Sequence, residues 1–195
     1  MAINQNIQKF YQVAQGQDFS RDFLFRVIQL NLAGIDSFTD EELVYVRAAE
    51  LPGRNIENVQ APYMGLPFNV PGSAKYPGSD AYTLEFYLPK NGRLRTKFEV
   101  ASRFLFDDVT SSGNYGTPNN NYLIQLAQLD KNLEPIPNGI YTLYGASIRN
   151  INPIQYTIAE GRGDVVKITC TISYHFYDVE SFSVPGIDLT PTLNP

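Results

Sequence analysis

Tryptophan is absent from this 195-residue chain, and cysteine and histidine occur once each. A single cysteine excludes an internal disulfide framework. Cys170 and His175 also leave little from which to build a nucleophile and its base. They sit five residues apart in one strand-like run, so side-chain alternation sends them to opposite faces and they cannot meet as a dyad. Cys170 therefore reads as a small core hydrophobe. His175 reads as a solvated or interface side chain, because a metal site needs several ligands. Charge is scarce as well: 18% of residues are charged, against about 25% in ordinary soluble proteins. The net charge of −5 makes a poor grip for nucleic acid, which calls for clustered Lys and Arg, though it suits a passage through which nucleic acid slides. No run approaches 18 apolar residues, so no membrane-spanning helix is expected. "MAINQNIQKFYQ" lacks the apolar core of a secretory signal.

Other chemistry is equally sparse. Asp40-Glu41-Glu42 and Asp107-Asp108 lack the regular spacing of an oxygen-ligand loop and read as solvated turns. Gly161-Arg162-Gly163 lacks the following helix and the Lys-Ser/Thr pair of a phosphate loop. Arg93, Arg95, Lys97 and Arg103 share a helical stretch with Glu99 and form its wet face. No catalytic residue, metal ligand or cofactor site is expected, and the chain is not read as an enzyme.

Tyrosine (13) and phenylalanine (12) are plentiful. They suit β-structure and large interfaces, where Tyr offers an apolar body with a polar tip. At this length one domain can bury roughly 70% of its unfolded surface, enough for a core without staples. The spacing predicts a short helix over 3–15, with Ile3, Ile7, Phe10, Tyr11 and Ala14 on one face. Strands are predicted over 22–32, 42–50, 54–63, 81–89, 122–130, 140–147 and 154–160. A helix over 93–106 buries Leu94, Phe98, Ala101 and Leu105. Residues 65–80 and 107–121 read as irregular loops, and 131–139 as a broad connection. The cleanest alternation, over 164–179, predicts one long half-buried strand. The sum is mainly β: an antiparallel barrel or sandwich with one packed helix and a short N-terminal helix. Residues 1–178 form the single domain and 179–195, with three prolines, a C-terminal arm.

The stretch "ELPGRNIENVQAPYMG" (50–65) is odd for a monomer. Pro52 and Gly53 bend the chain, and the segment that follows alternates without building an apolar face. A partner from another chain would explain it.

Several features in order resemble the tail tube proteins of contractile-tailed, T4-like bacteriophages over roughly residues 5–178. They are "DFSRDFLFRVIQL", the Leu51-Pro52-Gly53 bend, the Pro62-Tyr63-Met64-Gly65 step, "LRTKFEVASRF", the run from Tyr141 to Ile151, and "VVKITCTISYHFYDV". The resemblance implies homohexameric rings stacked into a tube within a sheath and above a baseplate. Genomic DNA would pass through the lumen without specific binding, in a virion made in the host cytoplasm, with no membrane involved. It implies that Asn55, Glu57 and Asn58 face the lumen. It also implies inter-subunit contacts at Leu51, Pro52, Gly53, Pro62, Tyr63, Gly65, Tyr76 and Tyr115. Two alternatives stay open: an inner-tube or baseplate tube-initiator component of a contractile injection system, and a Tyr-rich carbohydrate- or peptide-binding β-sandwich.

Overall fold

Alternation organises the interior. In the computed structural model, which describes residues 2–17, 20–114, 122–157 and 163–179, Tyr82, Leu84 and Phe86 of β5 (Tyr82–Tyr87) are all buried. They face Ile168, Cys170 and Ile172 of β11 (Lys167–Ser173), also buried, on the paired antiparallel strand. β2 (Val46–Ala48) and β10 (Ser147–Ile151) flank this pair, giving the sheet order β10-β11-β5-β2. A second four-stranded sheet runs β1 (Phe25–Leu30), β8 (Leu123–Leu129), β9 (Pro135–Tyr144), β12 (Phe176–Val179). Val27, Leu30, Ile124, Leu126 and Leu143 of this second sheet join the same buried cluster. The protein is thus a mainly antiparallel β-sandwich, and its sheets do not close into a barrel.

α3 (Arg93–Leu105) packs beside β10 with Leu94, Phe98 and Ala101 buried, as its spacing predicts. Phe98 lies between two rings, 5.2 Å from Phe38 and 5.1 Å from Phe86 centroid to centroid. α2 (Asp40–Leu43) precedes β2 and is tied to α3 by Lys97, whose Nζ donates to Glu42 Oε2 at 2.7 Å. α1 (Ala2–Gln17) forms where expected, but Ile7, Phe10 and Tyr11 of its apolar face stand exposed.

Several expectations fail. The 164–179 run is two strands in different sheets. The Tyr174 amide donates to Ser79 O and the next amide, His175, donates to Tyr144 O, so the backbone changes partners between adjacent residues. Alternation continues through the crossing because both sheets share one core. Residues 65–80 hold a long strand, β4 (Leu66–Lys75), despite Pro67 and Pro71. Residues 131–139 are half strand, since β9 begins at Pro135 after a turn in which Asp130 accepts from the Asn132 and Glu134 amides. Residues 154–157 are not strand, and 158–160 lie outside the described residues. Within 107–121, a small hairpin pairs β6 (Phe106–Asp107) with β7 (Ser112–Gly113), and 115–121 lie outside the described residues. β12 keeps Val179 paired with Tyr141, while the rest of the C-terminal arm, 180–195, lies outside them too.

Candidate functional site

The side chains that the sequence weighs for chemistry, and from which it expects none, take the following places. Cys170 is fully buried in β11, and burial pushes its thiol up to about 12. Gly145, at φ +74°, lies directly beneath the exposed His175 ring, which approaches too closely to leave room for a side chain there. Asp107 accepts from the Val109 amide at 2.9 Å and the Thr110 hydroxyl at 2.8 Å, so its carboxylate closes a turn. Glu42 is shared by Lys97 and the Thr39 amide. An open groove of about 900 Å³ lies between α3 and the segment after β1, bordered by Ile35, Glu42, Lys97, Val100, Phe104 and Tyr122. Among the described residues Tyr122 is the one tyrosine that lines it, fewer than a Tyr-rich sugar or peptide cleft would show.

The unusual feature is a hairpin. β3 (Asn55–Tyr63) and β4 form a separate two-stranded sheet, and each of their 19 residues is exposed. A lone two-stranded hairpin is marginal in water. Its foot is held firmly: the buried Tyr82 hydroxyl donates to Glu50 O at 2.7 Å, and Tyr76 packs edge-on against Tyr177 of β12, 5.5 Å away. Tyr76, an expected inter-subunit contact, therefore anchors the hairpin within its own subunit.

Register divides the hairpin into two faces. Val59 pairs with Val70, Ala61 with Phe68, and Tyr63 with Leu66. Paired residues in a ladder share a face, and alternate residues take opposite faces. These six side chains make one apolar surface. Asn58, Gln60 and Pro62 share the other face with Pro71, Asn69 and Pro67. Half of this apolar surface comes from β4, whose prolines and glycines read as loop in sequence.

The expected lumen residues divide accordingly. Asn55 and Glu57 lie on the same side as Val59, with Glu57 2.6 Å from Lys75 Nζ, whereas Asn58 is on the opposite side. Between them a bulge leaves Gly72 unpaired, and a Cβ there would stand 2.5 Å from Val59 Cγ2. Pro62, Tyr63 and Gly65 fall at or beside the tip. Leu51, Pro52 and Gly53 form the link into the hairpin, and the bend is made without a positive φ at Gly53. Tyr115 lies outside the described residues.

The tip is a two-residue turn, Met64-Gly65, with φ of 49° and 79°. Positive φ at both positions marks the type I′ turn, which matches strand twist and favours Asn-Gly. Methionine at the first position is a poor local choice, and Met64 is 86% exposed.

No protein-family model matches the chain, and no curated protein matches it in sequence. Solved structures do match in shape. A chain in the 6-fold symmetrised structure of the anti-feeding prophage baseplate superposes with a TM-score of 0.55 at 14% identity, covering 86% of this chain and 99% of that one. A chain of the anti-feeding prophage cap, described as its tube-terminating cap, gives 0.56 at 9% identity, covering 84% and 92%. The fold of this protein is thus one also found in chains of the anti-feeding prophage baseplate and of its tube-terminating cap.

Proposed function

We propose that this chain is a structural subunit of a contractile tail or injection apparatus, assembling into hexameric rings that stack as its inner tube. The observation that carries this reading is the wholly exposed hairpin with one apolar face. A surface of that kind marks an interaction site. The shared fold supports the type of assembly, because the similar chains belong to a baseplate and a tube-terminating cap. The exposed Ile7, Phe10 and Tyr11 of α1 add a second apolar surface for a neighbouring copy. Sheath and baseplate proteins are the outer partners, and DNA passing without specific binding is the cargo of a phage version. A baseplate tube initiator is the nearest variant of the same reading.

Negative-stain microscopy of the purified chain, with its mass in solution, tests the proposal. Rings or hollow tubes of uniform bore are the expected result. A 21.9 kDa monomer at every concentration, even beside a preformed baseplate, would overturn it.

A further inference from the structure

The hairpin's backbone phase limits how a neighbour engages it. Pro62 and Pro67 are paired, and neither has an N–H, so theirs is a non-hydrogen-bonded pair. The ladder bonds therefore fall to the Tyr63–Leu66, Ala61–Phe68 and Val59–Val70 pairs. The backbone groups of Asn58, Gln60 and Pro62 on β3, and of Pro67, Asn69 and Pro71 on β4, turn outward to the free edges. Along that stretch of the β4 edge, only Asn69 has an N–H to offer. Proline at outward positions is a common means of blocking strand addition. The β3 edge keeps its Asn58 and Gln60 donors, but a strand joining at β4 gains only part of a ladder.

The faces differ more than the edges. Val59, Tyr63, Leu66, Phe68 and Val70 are each between 48% and 66% exposed. With Ala61 they present on the order of 600 Å² on one side, a large share of the roughly 800 Å² each partner gives to a standard interface. The opposite side between the bulge and the tip carries three amides and three prolines and no charge.

We infer that the hairpin seats on a neighbouring copy through its Val59, Ala61, Tyr63, Leu66, Phe68 and Val70 face, leaving the Asn58, Gln60 and Asn69 face in water. This rests on the ring reading above. In a ring the same hairpin surface meets a different surface of the next identical copy, so every apolar face is covered and none is left over. Glu57, salt-bridged to Lys75, lies on the seated side.

Single-cysteine labelling of the full chain tests the face assignment. Cys170 is buried and its thiol unreactive, so the parent chain is a quiet background. Gln60→Cys and Ala61→Cys place thiols on adjacent residues and opposite faces of β3; Asn69→Cys and Val70→Cys repeat the comparison on β4. Each is treated with a small maleimide while assembled and while dissociated. Assembly should slow labelling at Ala61→Cys and Val70→Cys by about tenfold or more, and leave Gln60→Cys and Asn69→Cys within about twofold. Loss of assembly in the first pair alone also supports the assignment. The reverse pattern, or equal protection on both faces in an assembling chain, overturns it while sparing the ring reading. A parent chain that never assembles overturns both.

Discussion

The Tyr82 hydroxyl donates to the carbonyl of Glu50 at 2.7 Å, joining the first residue of a core strand to the segment that launches the hairpin. Burial raises the Tyr82 phenol, so it stays protonated and keeps donating across the ordinary pH range. Tyr82→Phe should lower stability by about 1 kcal/mol in denaturant unfolding, the usual net value of one such bond. It should also speed amide exchange over residues 50–56 more than in β11. Unchanged exchange there would mean the foot is held by the Tyr76–Tyr177 contact alone.

Met64 gives a prediction with opposite signs in two assays. Asn tolerates left-handed backbone better than Met, so Met64→Asn should stabilise the turn by about 1 kcal/mol. Amide exchange at Tyr63–Leu66 should slow in the monomer. The same change removes the most exposed apolar residue of the tip, so sedimentation should show weaker assembly. Stronger assembly in Met64→Asn would show that the tip is free of contacts.

Gly72 separates hairpin from core. A side chain there meets Val59 Cγ2 at 2.5 Å, so Gly72→Val must disturb the bulge and the pairing around it. Because no buried core residue lies in the hairpin, the thermal midpoint should shift by no more than about 2 °C. Assembly should fall at least about tenfold in concentration dependence. A large loss of thermal stability would mean the hairpin supports the sandwich.

The link between α2 and α3 carries a pH signature. Burial opposes ionisation of Glu42, but hydrogen bonds from Lys97 and the Thr39 amide outweigh it and hold its carboxyl below the ordinary 4.5. A carboxyl depressed in the folded state stabilises above its unfolded value and loses that contribution as pH falls through the folded value. Stability should therefore decline from about pH 4.5 downward, by about 1 kcal/mol from this pair. Glu42→Gln should flatten that part of the profile. An identical acid profile in the variant would assign the decline to other carboxylates.

Much of the fold was legible in local pattern. Phe98 and its neighbours repeat at helical spacing, and Leu84 and Phe86 alternate, so their elements and buried faces follow from period alone. Cys170 was likewise readable as core. The hairpin was not, because Pro67 and Pro71 read as breakers when their N–H groups are assumed to be needed. Pairing with β3 points those positions outward, where proline removes nothing from the ladder.

The sequence by itself determined that this chain is mainly β and carries one amphipathic helix on its core. Those properties depend on composition and on short-range period. Only the tertiary structure decided that 164–179 divides between two sheets, since the switch is made by distant carbonyls at Ser79 and Tyr144. Only it decided which side of the hairpin is apolar, since Val59 needs Val70 and Ala61 needs Phe68 to make a surface. A face built by two strands belongs to their register, and register is fixed when the chain folds back at Met64-Gly65.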